Sequence, residues 1–282
     1  MKIIDGKKIA ERIKDEIVSE ILSKNEQKNN SALNRPNLAI IMAGDREDSK
    51  LYTDIKQKEA KKVGIDTHFY KLEEKEGQAE LLSIIKHLNE DEEIDAIMIQ
   101  LPLPEKFDTE EVLKAINPKK DVECLHPRNF KLCQEGGSLI SPPVFGAIEE
   151  ILEEIDWTLK GKKICIIGNS KSFVDGLSQF LSRKGGDCLT SGIKDKDLKS
   201  KSSQADLVVS AVGEPGFLRG YFIKEGAVVI DVGITKQKSK TLGDADFESI
   251  KKKASFATPV PGGVGPVTVA ILLKNTLALS KK

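Results

Sequence analysis

Leu38-Ala39-Ile40-Ile41-Met42-Ala43-Gly44-Asp45 is followed, after three further residues, by Ser49-Lys50-Leu51-Tyr52-Thr53-Asp54-Ile55-Lys56. An unbroken apolar run that ends at glycine and aspartate predicts a buried strand and a turn. A helix then starts near Asp48 or Ser49, either of which can accept the first free backbone N–H. Tyr52 and Lys56 stand four residues apart, so they share one helix face. Leu51 and Ile55 form a neighbouring apolar stripe, expected to hold the helix against a core. An aromatic plate and an amine are thereby presented near the carboxyl end of a strand, where open α/β sheets bind ligands. Taken alone, Lys56 among Lys50, Lys58, Lys61 and Lys62 reads more readily as part of a solvated surface.

Working outward, Ile9, Ile13, Ile17 and Ile21 predict an amphipathic helix over 8–24, and Asn25 to Pro36 reads as a polar loop. Thr67–Leu72 is a predicted strand, and Leu81, Leu82, Ile85 and Leu88 mark a helix. The apolar run Ile94 to Leu101 is a strand buried on both faces, as in a parallel sheet. A short helix is expected over Asp108–Ile116, capped by Asp108 or Thr109. From Asn117 to Pro143 the periodicity fades and prolines and glycines gather, which marks an interdomain crossing. Pro143 suits the first turn of a helix running through Ile148, Ile151 and Leu152. Beyond it, strands are predicted at Lys163–Ile167, Asp187–Thr190, Asp206–Val212, Ala227–Val232 and near Ser255–Ala257, with a last helix over Val267–Leu279. Alternating strands and helices in two blocks define an α/β protein of two domains.

Composition supports that reading. A chain of 282 residues predicts about two domains, and 39% hydrophobic with 31% charged residues describes a solvated globular protein. Lysine plus arginine equals aspartate plus glutamate at 44 each, so no global field draws in nucleic acid or an acidic membrane. There is no basic-then-apolar leader and no membrane-length apolar run, so a cytoplasmic location is expected. Cys124, Cys133, Cys165 and Cys188 show no Cys-x-x-Cys spacing, and His68, His87 and His126 are too scattered for a histidine-rich metal site; no metal is expected.

The second block opens with Lys163-Ile-Cys-Ile-Ile-Gly168-Asn169-Ser170, a strand running straight into glycine and a helix. Such a helix start can hold a pyrophosphate, but Ser170 stands where a second glycine is expected, and a plain turn capped by Asn169 or Ser170 is an equal reading. Val212-Gly213-Glu214 and Asp231-Val232-Gly233-Ile234 follow two further strands. Glycine at three strand ends (Gly168, Gly213, Gly233) favours a ligand lying across the edge of the sheet. In Thr258-Pro259-Val260-Pro261-Gly262-Gly263-Val264-Gly265-Pro266, prolines fix the backbone and glycines free it. This path suits gripping a ligand, and a structural hinge is the rival reading.

Together, Ser49-x-x-Tyr52-x-x-x-Lys56, Ile99-Gln100-Leu101-Pro102-Leu103-Pro104, Lys120-Asp121-Val122 and Pro259 to Pro266 resemble the bifunctional methylenetetrahydrofolate dehydrogenase/methenyltetrahydrofolate cyclohydrolase family. Ile4-Asp5-Gly6-Lys7 and Gly226 to Gly233 fit it too. The resemblance implies two α/β domains flanking a cleft: a folate-binding catalytic domain over 1–140, with the terminal helix 267–282 packing back on it, and a Rossmann-like NAD(P)-binding domain over 141–266. It implies oxidation of 5,10-methylenetetrahydrofolate with NADP, NAD being the alternative, and hydrolysis of the methenyl product to 10-formyltetrahydrofolate, in a homodimer. Lys56, Gln100 and Tyr52 would be catalytic. Tyr52, Ser49, Glu123, Pro261, Gly262 and Gly263 would bind the folate. Gly168, Asn169, Ser170, Gly213, Gly233 and Ile234 would bind the dinucleotide.

The chain also departs from the family pattern. Asp121-Val122-Glu123-Cys124-Leu125 stands for Asp-Val-Asp-Gly-Phe/Leu, and Ser141-Pro142-Pro143-Val144-Phe145-Gly146 for Pro-Cys-Thr-Pro-x-Gly. Gly168-Asn169-Ser170-Lys171-Ser172-Phe173-Val174-Asp175-Gly176 lacks the usual arginine and places Val174 at a glycine position. Lys194 is the residue left to meet a 2′-phosphate. A cyclohydrolase-only or folate-binding paralog with a degraded dinucleotide site is the alternative function. A two-domain dehydrogenase of small acids lacks a histidine or arginine constellation to support it.

Overall fold

The structure, a computed structural model, describes residues 1–27, 35–73, 75–237 and 240–280. In chain order its first half comprises β1 (Lys2–Ile3), α1 (Gly6–Gln27), β2 (Asn37–Ala43), α2 (Glu47–Lys62), β3 (Asp66–Leu72), α3 (Gln78–Glu90), β4 (Ala96–Ile99), α4 (Thr109–Ala115), α5 (Pro127–Glu135) and α6 (Pro143–Glu154). The second half follows with β5 (Lys163–Gly168), α7 (Lys171–Arg183), β6 (Asp187–Ser191), α8 (Leu198–Ser202), β7 (Leu207–Ala211), β8 (Val228–Asp231), β9 (Thr235–Gln237), β10 (Lys240–Leu242), α9 (Phe247–Ile250), β11 (Phe256–Ala257) and α10 (Val264–Leu279). Two compact units divide the chain. One comprises Met1–Ala10, Gln134–Gly136 and Val144–Thr268; the other comprises Glu11–Cys133, Gly137–Pro143 and Val269–Lys282.

The second of these is built on a three-stranded parallel sheet in the order β3-β2-β4. Every residue of β4 and all but the first of β2 are buried, as expected of a central parallel strand with no polar face. Leu81, Ile85 and Leu88 of α3 join Ile41, Ile97 and Ile99 in one core, each such side chain contributing roughly 1.5–3 kcal/mol on burial. The chain leaves β2 for β3 on one side and returns to β4 on the other, so the order reverses at the β2/β4 boundary. Residues 120–122 then run parallel beside β4: Ile97 N donates to Lys120 O at 2.7 Å and Val122 N to Ile97 O at 3.4 Å.

The other unit carries six parallel strands in the order β1-β11-β8-β7-β5-β6 and a separate antiparallel hairpin, β9–β10. Its order reverses at β5/β7. The first ten residues belong here because Lys2 and Ile3 pair with Phe256 and Ala257.

Several local expectations are corrected. Helix α2 begins at Glu47 behind Arg46, with no side-chain cap, and Asp48 lies in its first turn, held by Arg46 Nη2 at 2.7 Å. Leu51 and Ile55 are exposed; the face turned inward is Ser49, Thr53 and Ala60. Residues 25–27 complete α1 rather than opening a loop, and 28–34 lie outside the described residues, as do 281 and 282, to which the terminal helix was expected to extend. The expected crossing, Asn117 to Pro143, contains α5.

Candidate functional site

Positions 49, 53, 56 and 60 fall on one stripe of α2, at offsets of four, three and four. Three of them are the small residues Ser49, Thr53 and Ala60, all buried, so the helix approaches the sheet closely and carries the fourth, Lys56, inward with it. The Lys56 amine donates to Gln100 Oε1 at 3.1 Å and contacts Met98 Sδ at 3.4 Å. Gln100 is itself fixed. Its backbone N donates to Ile41 O at 2.8 Å, continuing the β2–β4 ladder, and its Nε2 donates to Leu101 O at 2.7 Å. With the amide nitrogen engaged there, Oε1 is the atom left facing the amine. Lys56 and Gln100 thus meet where the strand order reverses between β2 and β4, the position at which open α/β sheets bind ligands. Tyr52, half-buried, stands one turn before Lys56 on the same side of α2.

Glu123 follows the segment that extends the sheet beside β4. The turn carrying it is shaped by buried Asp121, whose carboxylate accepts from Leu125 N at 3.2 Å, His126 N at 2.9 Å and Asn129 Nδ2 at 3.0 Å. Asn275 of α10 donates to Val122 O at 3.0 Å and to Ser141 O at 2.9 Å, pinning the residue before Glu123. Cys124 takes a positive φ of 56°, a conformation that suits glycine and costs an L side chain on the order of 1 kcal/mol. Burial holds the Lys56 amine below the ordinary lysine range, partly offset by the Glu123 carboxylate. Burial likewise raises the Glu123 carboxyl; Lys56 pulls it down and Asp121 pushes it up. Burial is the larger effect on both groups, and each group's charge offsets part of it on the other.

The remaining expected site residues belong to the six-stranded unit. Gly168 closes β5, and a Cβ there would lie 2.8 Å from Val174 Cγ2 and 3.3 Å from Ala211 O. Asn169, in the place of the family's arginine, donates to Val212 O at 2.8 Å, so it ties the loop after β5 to the end of β7. Ser170 caps α7 by accepting from Phe173 N at 3.4 Å. Gly213 has φ of 79°. Gly233 is buried and Ile234 exposed. Gly168 and the 212–214 turn therefore border the β5/β7 reversal, and α7 starts three residues after Gly168, where a helix N-terminus offers N–H groups to an anion. At the end of β6, Asp195 is held by Ser191 Oγ at 2.9 Å and Lys201 Nζ at 2.7 Å, which keeps its carboxyl low, at about 2, while Lys194 is exposed. Pro261, Gly262 and Gly263 stand beside the start of α1: a Cβ on Gly6 would lie 1.9 Å from Gly263 O.

Sequence reading missed Met98, the hairpin β9–β10 and Asp244. Met98 is one apolar letter in an apolar run, and the hairpin strands are three residues each with no alternation of apolar and polar side chains. Asp244 follows a glycine like many turn aspartates, and nothing local marks its burial.

Two parallel α/β units, with Lys56 and Gln100 at the reversal point of one sheet and Gly168 and Gly213 at that of the other, define a two-domain α/β protein whose six-stranded unit is Rossmann-like. Comparison with known proteins narrows this. Residues 4–123 match the family model "Tetrahydrofolate dehydrogenase/cyclohydrolase, catalytic domain", and residues 142–282 match the "NAD(P)-binding domain" model of the same family. The bifunctional protein FolD of Caldanaerobacter subterraneus is 43% identical over 279 residues, covering 99% of this chain and 96% of that one. That of Nautilia profundicola is 39% identical over 282 residues, covering 100% and 98%. Among solved structures, the bifunctional FolD enzyme of Campylobacter jejuni superposes with a TM-score of 0.93 at 36% identity, covering 100% and 99% of the two chains. The Trypanosoma brucei enzyme, complexed with NADP cofactor and inhibitor, gives 0.93 at 34% identity, covering 99% and 97%. The chain belongs to the tetrahydrofolate dehydrogenase/cyclohydrolase family.

Proposed function

We propose that this protein oxidises 5,10-methylenetetrahydrofolate with NADP and hydrolyses the methenyl product to 10-formyltetrahydrofolate. The observation that carries the reading is the Lys56 amine, lowered in pKa by burial and aimed by Gln100 at the edge of a parallel sheet. Hydrolysis of a cationic methenyl carbon needs a group that can take a proton from water, and lowering the pKa of an amine makes its neutral, accepting form more available. In the proposed step the water oxygen bonds the methenyl carbon and one water proton passes to neutral Lys56. The ammonium returns that proton to the departing ring nitrogen as the carbonyl forms, and the second water proton goes to solvent. Gln100 holds the amine through Oε1, Glu123 supports its charged form, and Tyr52 offers its ring to the folate, with Ser49 on the same helix stripe. The substrate-contacting role of Pro261, Gly262 and Gly263 rests on the family pattern.

When bound, NADP supplies the hydride acceptor. The residues present fit a dinucleotide. Gly168, Asn169 and Ser170 would border its phosphates at the start of α7, with Gly213, Gly233 and Ile234 along the same edge. Asp195 is already neutralised by Lys201, so its carboxylate opposes a 2′-phosphate less, and Lys194 is free to face one. The cyclohydrolase-only alternative is not favoured, because the NAD(P)-binding family model extends over 142–282. The proposal includes a cytoplasmic homodimer serving one-carbon metabolism and purine biosynthesis, with the functional division at 1–140 plus 267–282 against 141–266. Among the described residues, no helix is long and apolar enough to cross a membrane.

The test is direct: purified protein is supplied with methylenetetrahydrofolate and NADP or NAD at equal concentration. NADPH formation followed by 10-formyltetrahydrofolate is expected. Neither cofactor reduction nor hydrolysis of added methenyltetrahydrofolate would end the proposal, and a strong preference for NAD would overturn its cofactor.

A further inference from the structure

Two carboxylates lie buried in the six-stranded unit without a lysine or arginine partner among the described residues. Both are 1% exposed or less. Asp231 ends β8; Asp244 arrives only because the β9–β10 hairpin folds the chain back. Asp244 Oδ2 accepts from Ser210 Oγ at 2.7 Å and Val212 N at 2.7 Å, and its Oδ1 accepts from Gly213 N at 2.8 Å and Glu214 N at 3.0 Å. Three successive backbone N–H groups leaving β7 thus converge on one side chain, and no strand partner satisfies them. Asp231 in turn holds the backbone of its neighbour, accepting from Asp244 N at 3.1 Å, Ala245 N at 2.8 Å and Gly233 N at 3.0 Å. Room for both carboxylates comes from glycine: a Cβ on Gly233 would lie 2.1 Å from Asp244 Oδ1, and one on Gly243 would lie 2.2 Å from Asp231 Oδ2.

The geometry points to Asp244 as a positioning residue that sets the shape of the dinucleotide-binding edge by clamping the 212–214 turn. The clamp reaches further through two tethers. Thr235 Oγ1 donates to Gly213 O at 2.9 Å, and Asn169 Nδ2 donates to Val212 O at 2.8 Å, so the loop after β5 is registered on the same turn. A buried anion held by N–H donors is strong when satisfied and costly when one acceptor is lost. This inference rests on the dinucleotide reading given above.

Asp244→Asn keeps the size but turns one acceptor oxygen into a donor facing two donors. In the full chain, calorimetry with NADP should show about a 10-fold or greater weakening, roughly one lost hydrogen bond's cost. The KM for NADP should rise by a similar factor, while kcat and KM for methenyltetrahydrofolate hydrolysis stay within about twofold. Thr235→Val removes only the outer tether and should raise the NADP dissociation constant by about threefold, again sparing hydrolysis. It also serves if Asp244→Asn does not fold. NADP binding unchanged in a folded Asp244→Asn, or in Thr235→Val where only that variant folds, would overturn the inference. So would parallel loss of both activities in a folded variant, the mark of a general structural role. Wild-type protein that hydrolyses methenyltetrahydrofolate but does not bind NADP would instead remove the dinucleotide reading, and this inference with it.

Discussion

Lys56→Met is expected to lower hydrolysis of methenyltetrahydrofolate by about 10²- to 10⁴-fold, the usual contribution of a positioned proton-transfer group. The fold should survive. Methionine occupies a similar volume, and the change removes an amine that burial already disfavours in its charged form. Gln100 loses one donor at Oε1, a cost of about 1 kcal/mol. A thermal melt close to wild type alongside the lost turnover would separate chemistry from folding. Hydrolysis at the wild-type rate would show that the amine is a bystander, whatever its geometry.

Gly6→Ala is the second large effect. The added Cβ would lie 1.9 Å from Gly263 O and 2.9 Å from Gly262 O, and both obstacles are backbone that cannot rotate away. Either the start of α1 or the proline–glycine loop must move. Forcing atoms into a filled site typically costs 1–3 kcal/mol, and a clash this short belongs at the upper end. A fall in melting temperature of roughly 5–10 °C is expected, using the scaling for a domain of this size. Because Pro261, Gly262 and Gly263 are proposed to meet the folate, activity should fall as well. A melting temperature within one degree of wild type would contradict the packing described around Gly6.

The apolar runs were enough to place the central strands, because a parallel strand buried on both faces has to be apolar throughout: β2, β4, β5 and β7 all read this way. The same logic misled at α2. Leu51 and Ile55 look like an anchoring stripe, yet the helix is seated through Ser49, Thr53 and Ala60, whose smallness rather than hydrophobicity permits close approach. Periodicity registers hydrophobicity and is blind to size. It is equally blind to β9–β10, whose strands are short and polar, and so to Asp244, whose role depends on where that hairpin returns the chain.

Departures from the family pattern acquire physical reasons when placed in space. Phe173, which stands where the family pattern has valine, packs edge to face on Phe145 with centroids 5.7 Å apart, and Phe145 also meets Phe180 at 5.6 Å. The larger ring at 173 is thus packed between α6 and α7. Val174, in the place of a glycine, crowds Gly168: a Cβ there would lie 2.8 Å from Val174 Cγ2, so a side chain at 168 would force a shift. Cys124 retains the left-handed backbone that glycine would adopt freely.

The central claim is that burial lowers the pKa of the Lys56 amine and so prepares it to accept a proton, and its titration tests this most directly. Full-length protein labelled at lysine Nζ can be followed by NMR, with the Lys56 signal identified by its loss in Lys56→Arg. A folded-state pKa below the ordinary 10.5 means that the neutral, proton-accepting form accumulates at lower pH than in other lysines. The rising limb of hydrolysis against pH should share that midpoint. Glu123→Gln, which removes the charge favouring the ammonium, should move both to still lower pH. A Lys56 midpoint at or above 10.5, or a hydrolysis profile indifferent to it, would contradict the account.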